Sequence, residues 1–206
     1  MFNRLARGFI LGCALVEGSS SSLWTVRLHP VILRAMDILA QSPTVLLRRL
    51  SPDDLLAFQA YRTDPDIAWY QGWSEMDDGQ ALDFLQEMQS EPILDFGKWC
   101  QIGVADPQSG RLIGDMGLFQ SACGTEVELG ITLERAAQGK GRATQAMQMA
   151  ITLIWTRSPA LAIRTWCDQR NTADVALMHR IGMTHLGADQ NDITEEAFVL
   201  HRPDRV

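Results

Sequence analysis

The stretch Gln138-Gly139-Lys140-Gly141-Arg142-Ala143-Thr144 decides how the rest of this chain is read. It lies between a strand-like segment and a helix-like one, so the N–H groups of a glycine-bearing turn and the positive end of a helix converge. Such a nest binds phosphate. A Walker A loop, GxxxxGKS/T, would need Gly at position 134 and Ser or Thr after Lys140, where Glu134 and Gly141 stand. A dinucleotide fingerprint, GxGxxG, would need a third Gly where Thr144 stands and a repeating parallel βαβ context.

Upstream of the turn, residues 44–50 (TVLLRRL) read as a first strand. Ser51-Pro52-Asp53-Asp54 reads as a helix start, with Ser51 as N-cap and Pro52 at the first helical position. Leu55, Leu56, Phe58 and Ala60 supply the apolar positions of that helix. A loop over 63–76 carries Asp64-Pro65-Asp66 and the aromatic group Trp69, Tyr70 and Trp73. Asp77 or Asp78 caps a second helix, with Ala81, Leu82, Leu85 and Met88 at helical spacing. Strands follow over 98–106, 111–120 and 125–133, and Asp106-Pro107-Gln108-Ser109-Gly110 between the first two is hairpin turn chemistry, which argues against the parallel dinucleotide fold.

Downstream, Gly139 to Gly141 opens a helix with an apolar stripe of Ala146, Met147, Ala150, Ile151, Ile154 and Trp155 that ends before Pro159. A strand over 162–168, a helix over 172–181 closed by Gly182, and strands over 183–189 and 195–202 complete the chain. The order β-α-α-β-β-β-α-β-α-β-β predicts an α/β fold with a mixed sheet and helices on both faces.

A chain of 206 residues with 46% hydrophobic and 21% charged residues can bury one good core. One domain is expected over 44–206, with residues 1–43 as an N-terminal extension outside the core. A net charge of -7 does not suit a phosphate-backbone binder, so no nucleic-acid partner is expected, whereas cationic amines would be attracted. Cys13, Cys100, Cys123 and Cys167 show no CxxC spacing, and the last three sit in apolar segments where a reduced, buried thiol is expected. His29, His179, His185 and His201 make no metal-ligand pattern, and no metal is expected.

The first residues are less organised. Arg4 and Arg7 precede an apolar run over 9–16, then Glu17, Gly18 and Ser19 to Ser22. The run is too short to span a bilayer, which takes about 20 residues. It has a faint likeness to a secretory signal, and Ile10-Leu11-Gly12-Cys13 to a lipoprotein cleavage box. The competing reading is an extension from an upstream start codon, with Met36 opening the functional protein.

Three segments together carry a family resemblance. Gln138-x-x-Gly141-x-Ala143 resembles the Q/R-x-x-G-x-G/A pyrophosphate loop of the GNAT superfamily of acyl-CoA N-acyltransferases. Glu128-Leu129-Gly130-Ile131-Thr132-Leu133 resembles its fourth strand, whose backbone pairs with the pantetheine arm and whose bulge splays it from the next strand. Asn171 to Met183 resembles its N-x-x-(S/A)-x-x-L-x-x-(K/R)-x-G-F segment. Leu47-Arg48-Arg49-Leu50 and Asp64-Pro65-Asp66-Ile67 are similar to segments of the ribosomal-protein-alanine N-acetyltransferase branch, so the GNAT fold is expected over about 45–202.

The resemblance implies a cytoplasmic N-acetyltransferase, a monomer or homodimer without a membrane partner, that moves an acetyl group from acetyl-CoA to an amine by direct attack in a ternary complex. The amine would belong to a protein N-terminus or a small molecule. Ile131 would hold the acyl carbonyl through its N–H, with Leu133 on the same strand. Gln138, Gly139, Lys140, Gly141, Arg142, Ala143 and Thr144 would hold the pyrophosphate, Lys140 and Arg142 by charge or else as solvated loop cations. Asn171 would touch CoA, cap its helix, or both.

Glu128 is the first candidate base and Glu126, on the same strand face, the second. Many members carry Tyr where Met178 stands, and the ribosomal-protein branch Ser where Asp174 stands. Methionine cannot donate a proton, and Asp174 can act as the acid only if burial raises its pKa; otherwise it decorates a helix start. Trp69, Tyr70 and Trp73 would roof the acceptor pocket or pack in the core. The missing Tyr motivates an alternative reading as a CoA-binding regulatory module without turnover, and transfer of another acyl group such as succinyl is a further alternative.

Overall fold

In the computed structural model, which describes residues 38–204 apart from 72, 74, 190 and 191, the turn at 106–110 folds strand β3 (Trp99–Ala105) onto strand β4 (Leu112–Gln120). Asp106 makes that turn: its Oδ1 accepts from the N–H groups of Gln108 and Ser109 at 3.1 Å. The next strand, β5 (Glu126–Leu133), pairs antiparallel with β4 in unbroken register from Gly114↔Leu133 to Gln120↔Val127. The bulge implied by the family resemblance is therefore not present in this pair.

Strands β1 (Ile38–Gln41) and β2 (Leu46–Arg49) precede the helices α1 (Leu55–Arg62), α2 (Pro65–Ala68) and α3 (Asp78–Ser90). After β5 come α4 (Arg142–Arg157), β6 (Ala162–Asp168), α5 (Thr172–Arg180), β7 (Thr184–Asp189) and β8 (Asp192–His201). Among the described residues the sheet has eight strands in the order β1-β2-β3-β4-β5-β6-β8-β7, and of these strand pairs β5–β6 alone is parallel. A parallel neighbour needs a crossover, and α4 supplies it.

The sheet starts earlier than the sequence reading places it. Ile38–Gln41 pairs with β2, and Leu39 and Ala40 pack on the core, so part of the segment read as an extension is sheet. The readings made on residues 1–37, including the signal-like run, Cys13, His29 and Met36, lie outside the described residues.

Two apolar layers cover the sheet. On one face α4 and α5 set Ala146, Met147, Ala150, Ile154 and Leu177 against Val127, Leu129, Ile163 and Cys167. On the other, α1 and α3 set Phe58, Tyr61, Ala81, Leu85 and Met88 against Leu50 and Leu112. Helix starts follow the expected caps: Ser51 and Asp77 both close capping boxes, and Asn171 Oδ1 accepts from the Asp174 N–H at 3.3 Å. In α1, Leu56 is 86% exposed and Ala60 is also exposed; Phe58 and Tyr61 face the core instead. Cys100 and Cys167 are buried as expected, but Cys123 sits exposed in the β4–β5 turn.

Candidate active site

Strands β5 and β6 pair only from Glu126↔Ala162 to Glu128↔Arg164. Beyond that point each keeps its outer neighbour, β4 or β8, and the two part. The opening has a defined chemistry. The Glu134 N–H donates to the Ile113 carbonyl at 2.8 Å, and the Leu161 N–H donates to the Thr125 carbonyl at 2.7 Å. Because backbone direction alternates along a strand, even-numbered residues of β5 bond toward β4 and odd-numbered ones toward β6. The backbone groups of Ile131 and Leu133 therefore face the cleft.

A cavity of about 590 Å³ occupies this opening, lined on its strand side by Ile131, Thr132 and Leu133. Gln138, Gly139, Gly141, Ala143 and Thr144 line it from the turn and the first turn of α4, and Asn171 and Asp174 from the start of α5. Gly141 is the N-cap of α4 with φ 74°, and no side chain caps the helix. Gly139 has φ 71°, and a Cβ at either glycine would meet nothing within 4 Å. These glycines serve backbone conformation and leave open space in front of the α4 amides, which lack intrahelical acceptors. That geometry fits a pyrophosphate. The Gln138 amide donates to the Leu133 carbonyl at 2.9 Å, tying the turn to the strand end.

Lys140 and Arg142 do not line the cleft. Lys140 Nζ donates to the Ala136 carbonyl at 2.8 Å, and Arg142 pairs with Asp106 at 3.1 Å. The aromatic trio also divides. Tyr70 lines the cleft; Trp69 stands 68% exposed with Arg170 over its ring at 5.7 Å; and Trp73 lies over Arg62 at 4.4 Å, donating Nε1–H to the Arg62 carbonyl.

A second, narrower cavity adjoins the first and shares Tyr70, Gln71, Ile131, Asn171 and Asp174 with it. Glu128 lines it, as do Trp99, Trp166, Asp168, Met178 and Glu195. Glu126 lines neither cavity and is bound to Arg164 at 2.9 Å. Asp174 is half-buried and lines both; burial pushes its carboxyl up to about 7. Burial also pushes the Cys167 thiol up to about 12, with the negative charges of Asp174, Glu196, Glu195 and Asp168 adding to the rise.

The sequence reading missed Thr132, Arg135, Trp99, Trp166 and Glu195. Thr132 stands between two residues that it did select; the two tryptophans and Glu195 arrive through strand pairing, which leaves no local signal. Arg135 binds Asp64 at 2.8 Å and Asp66 at 2.5 Å, fastening α2 to the turn before the nest. Beneath the site, Tyr61 donates to Asp115, which also faces Arg62 at 3.7 Å, and Arg62 donates to Gln101 at 3.2 Å. Among the described residues no cluster of three or more His, Cys, Asp or Glu could hold a metal, and no helix is long and apolar enough to cross a membrane.

The profile of the acetyltransferase (GNAT) domain matches residues 44–184. No curated protein sequence matches the chain. Among solved structures, a GNAT-family acetyltransferase from Bacillus anthracis superposes with a TM-score of 0.68 at 18% identity, over 78% of this chain and 96% of that one. RimL, a ribosomal L7/L12 alpha-N-protein acetyltransferase in complex with coenzyme A, superposes with a TM-score of 0.66 at 16% identity, over 80% of this chain and 97% of that one. MccE, a microcin C7 self-immunity acetyltransferase in complex with acetyl-CoA and AMP, gives a TM-score of 0.62 at 14% identity, over 78% of this chain and 94% of that one. At these identities the likeness is one of fold.

Proposed function

The chain belongs to the GNAT acetyltransferase family, and from that premise we propose that it transfers an acetyl group from acetyl-CoA to a primary amine by direct attack in a ternary complex. The observation that carries the reading is the pairing of an open phosphate nest, Gly139 to Thr144, with a splayed strand edge at Ile131 and Leu133 in one cavity. The nest suits the CoA pyrophosphate and the strand edge the pantetheine amides, which sets the thioester beside the narrower cavity. The Ile131 N–H then polarises the acyl carbonyl.

The amine arrives as an ammonium. Glu128, on the acceptor side, takes one proton, directly or through water. The free amine attacks the carbonyl, the N–C bond forms, and collapse of the tetrahedral intermediate breaks the C–S bond. The nitrogen's second proton goes to the thiolate, and Asp174, with a pKa near 7, is suited to mediate that transfer. The products are an amide, CoA thiol and one released proton. Met178 has no proton to give, so Asp174 takes the acid role.

Thiol release from acetyl-CoA tests the reading. It is expected to depend on an added amine and to saturate in both substrates, with initial-rate lines that intersect. Tight acetyl-CoA binding without release against any amine would favour the regulatory module, and faster release from succinyl-CoA would replace the acyl group.

A further inference from the structure

The wide cavity extends along α5. Ala173, Ala176, Leu177 and Arg180 line it, and their spacing of i, i+3, i+4 and i+7 puts them on one helix face. The seven residues from Ala173 to Arg180 carry that face about 10 Å along the cleft. Asn171 and Asp174, at the start of α5, also line the narrower cavity, whereas these four do not. Arg180 therefore marks the end of the groove away from the reacting groups. The two alanines keep the floor of the groove low, and Leu177 adds apolar surface, a lining that suits the flat sugar and base of a nucleotide.

The charges of the cavity are sorted. Among the described residues two cations line it, Arg135 and Arg180. Arg135 is committed to Asp64 and Asp66. Arg180 stands exposed in the last turn of α5, and its guanidinium makes no hydrogen bond, ion pair or ring contact among the described residues. A guanidinium presents a planar fork of N–H donors that a phosphate accepts two at a time. The nest meets a pyrophosphate through backbone N–H groups, while Lys140 and Arg142 are held by other partners. A chain of net charge -7 repels a polyanion at long range, so a further phosphate on the same ligand needs a local cation. Arg180 is the cation in the groove that is free to serve.

Resting on the acetyl-transfer reading above, we propose that Arg180 binds the ribose 3′-phosphate of CoA and makes the site selective for CoA over 3′-dephospho-CoA. The pyrophosphate occupies the nest, the ribose lies along Ala173 and Ala176, and the 3′-phosphate accepts from the guanidinium. The remaining role for Arg180, a favourable charge at the C-terminal end of α5, would affect stability and not ligand choice.

The test titrates CoA and 3′-dephospho-CoA separately into the full chain, Arg180→Gln, Arg180→Lys and Arg157→Gln, each checked by its melting temperature. Arg157→Gln removes the same charge from the exposed end of α4, outside the cavity. The intact chain is expected to bind CoA at least about tenfold tighter than the dephospho form, a preference that shrinks as salt rises from about 0.02 to about 0.5 M. Arg180→Gln should bring the two affinities within about twofold by weakening CoA alone, Arg180→Lys should keep part of the preference, and Arg157→Gln should keep all of it. Equal binding of the two ligands by the intact chain, a preference that survives Arg180→Gln, or equal weakening of both ligands in that variant would overturn the assignment. Absence of CoA binding to the intact chain would instead overturn the transfer reading beneath it.

Discussion

Glu128 is the last residue of β5 that pairs with β6, and its partner there is Arg164. The register places the candidate base at the fork of the cleft, where the chain changes from a closed sheet to an open one. Two residues back, Glu126 spends its carboxylate on the Arg164 guanidinium at 2.9 Å. The two glutamates share a strand face and differ in what they can reach.

Glu128→Gln is expected to lower kcat at neutral pH by about a hundredfold or more, the usual contribution of a positioned base. Glu126→Gln removes only a half-exposed ion pair, worth less than about 1 kcal/mol, and should leave kcat within about twofold. Steady-state kinetics on the two variants decide between them. Equal losses would remove Glu128 from the base role.

Asp174 makes stability and rate depend on pH together. Its carboxyl moves from 3.8 to about 7 in the fold, so between those values the native state holds a proton that the unfolded state has lost. Stability is therefore expected to fall as pH rises from about 4 to about 7. Asp174→Asn should flatten that dependence and raise the melting temperature above pH 7. The same variant should lower kcat at least about tenfold and erase the limb near pH 7 in its pH profile. A variant with wild-type turnover would leave Asp174 as a helix N-terminal residue only.

The buried Tyr61–Asp115–Arg62 group lies next to the cleft, since Asp115 pairs across β4 and β5 with Thr132, which lines it. Burial raises the Asp115 carboxyl, and the adjacent Arg62 charge opposes that rise. Asp115→Ala would strand the Arg62 guanidinium among Phe58, Phe84 and Trp73, at a cost of about 3–5 kcal/mol. Tyr61→Phe, which removes one hydrogen bond, should cost about 1–2 kcal/mol. Urea denaturation measures both, and the order of the two losses is the check.

Much of this was legible in the sequence because local chemistry and tertiary outcome agree. The strand over 162–168 is bounded as read, the Asp106 turn is a hairpin turn, and the Gly139–Gly141 turn opens α4. Local reading failed where partners decide. Leu56 and Ala60 look like core positions until the Phe58 and Tyr61 face of α1 is seen to dock on the sheet. Lys140 and Arg142 read either as phosphate cations or as solvated loop cations, and their partners, the Ala136 carbonyl and Asp106, were not legible in that local pattern. Trp73 reads with Trp69 and Tyr70 as one cluster, yet the Arg62 guanidinium captures it for the core. The cleft itself opens without the expected bulge, because β6 pairs with β8 along its whole length and with β5 for only three residues.

The most direct test of the central claim is a calorimetric titration of acetyl-CoA into the full chain and into Gly141→Asp. A Cβ at position 141 would meet nothing within 4 Å, so an aspartate there sets a negative charge at the nest, at the cost of a strained left-handed backbone. Micromolar binding to the intact chain, about -8 kcal/mol, is expected, with at least about a hundredfold weaker binding to a variant that still melts cooperatively. No binding to the intact chain, or equal binding to both, would contradict it.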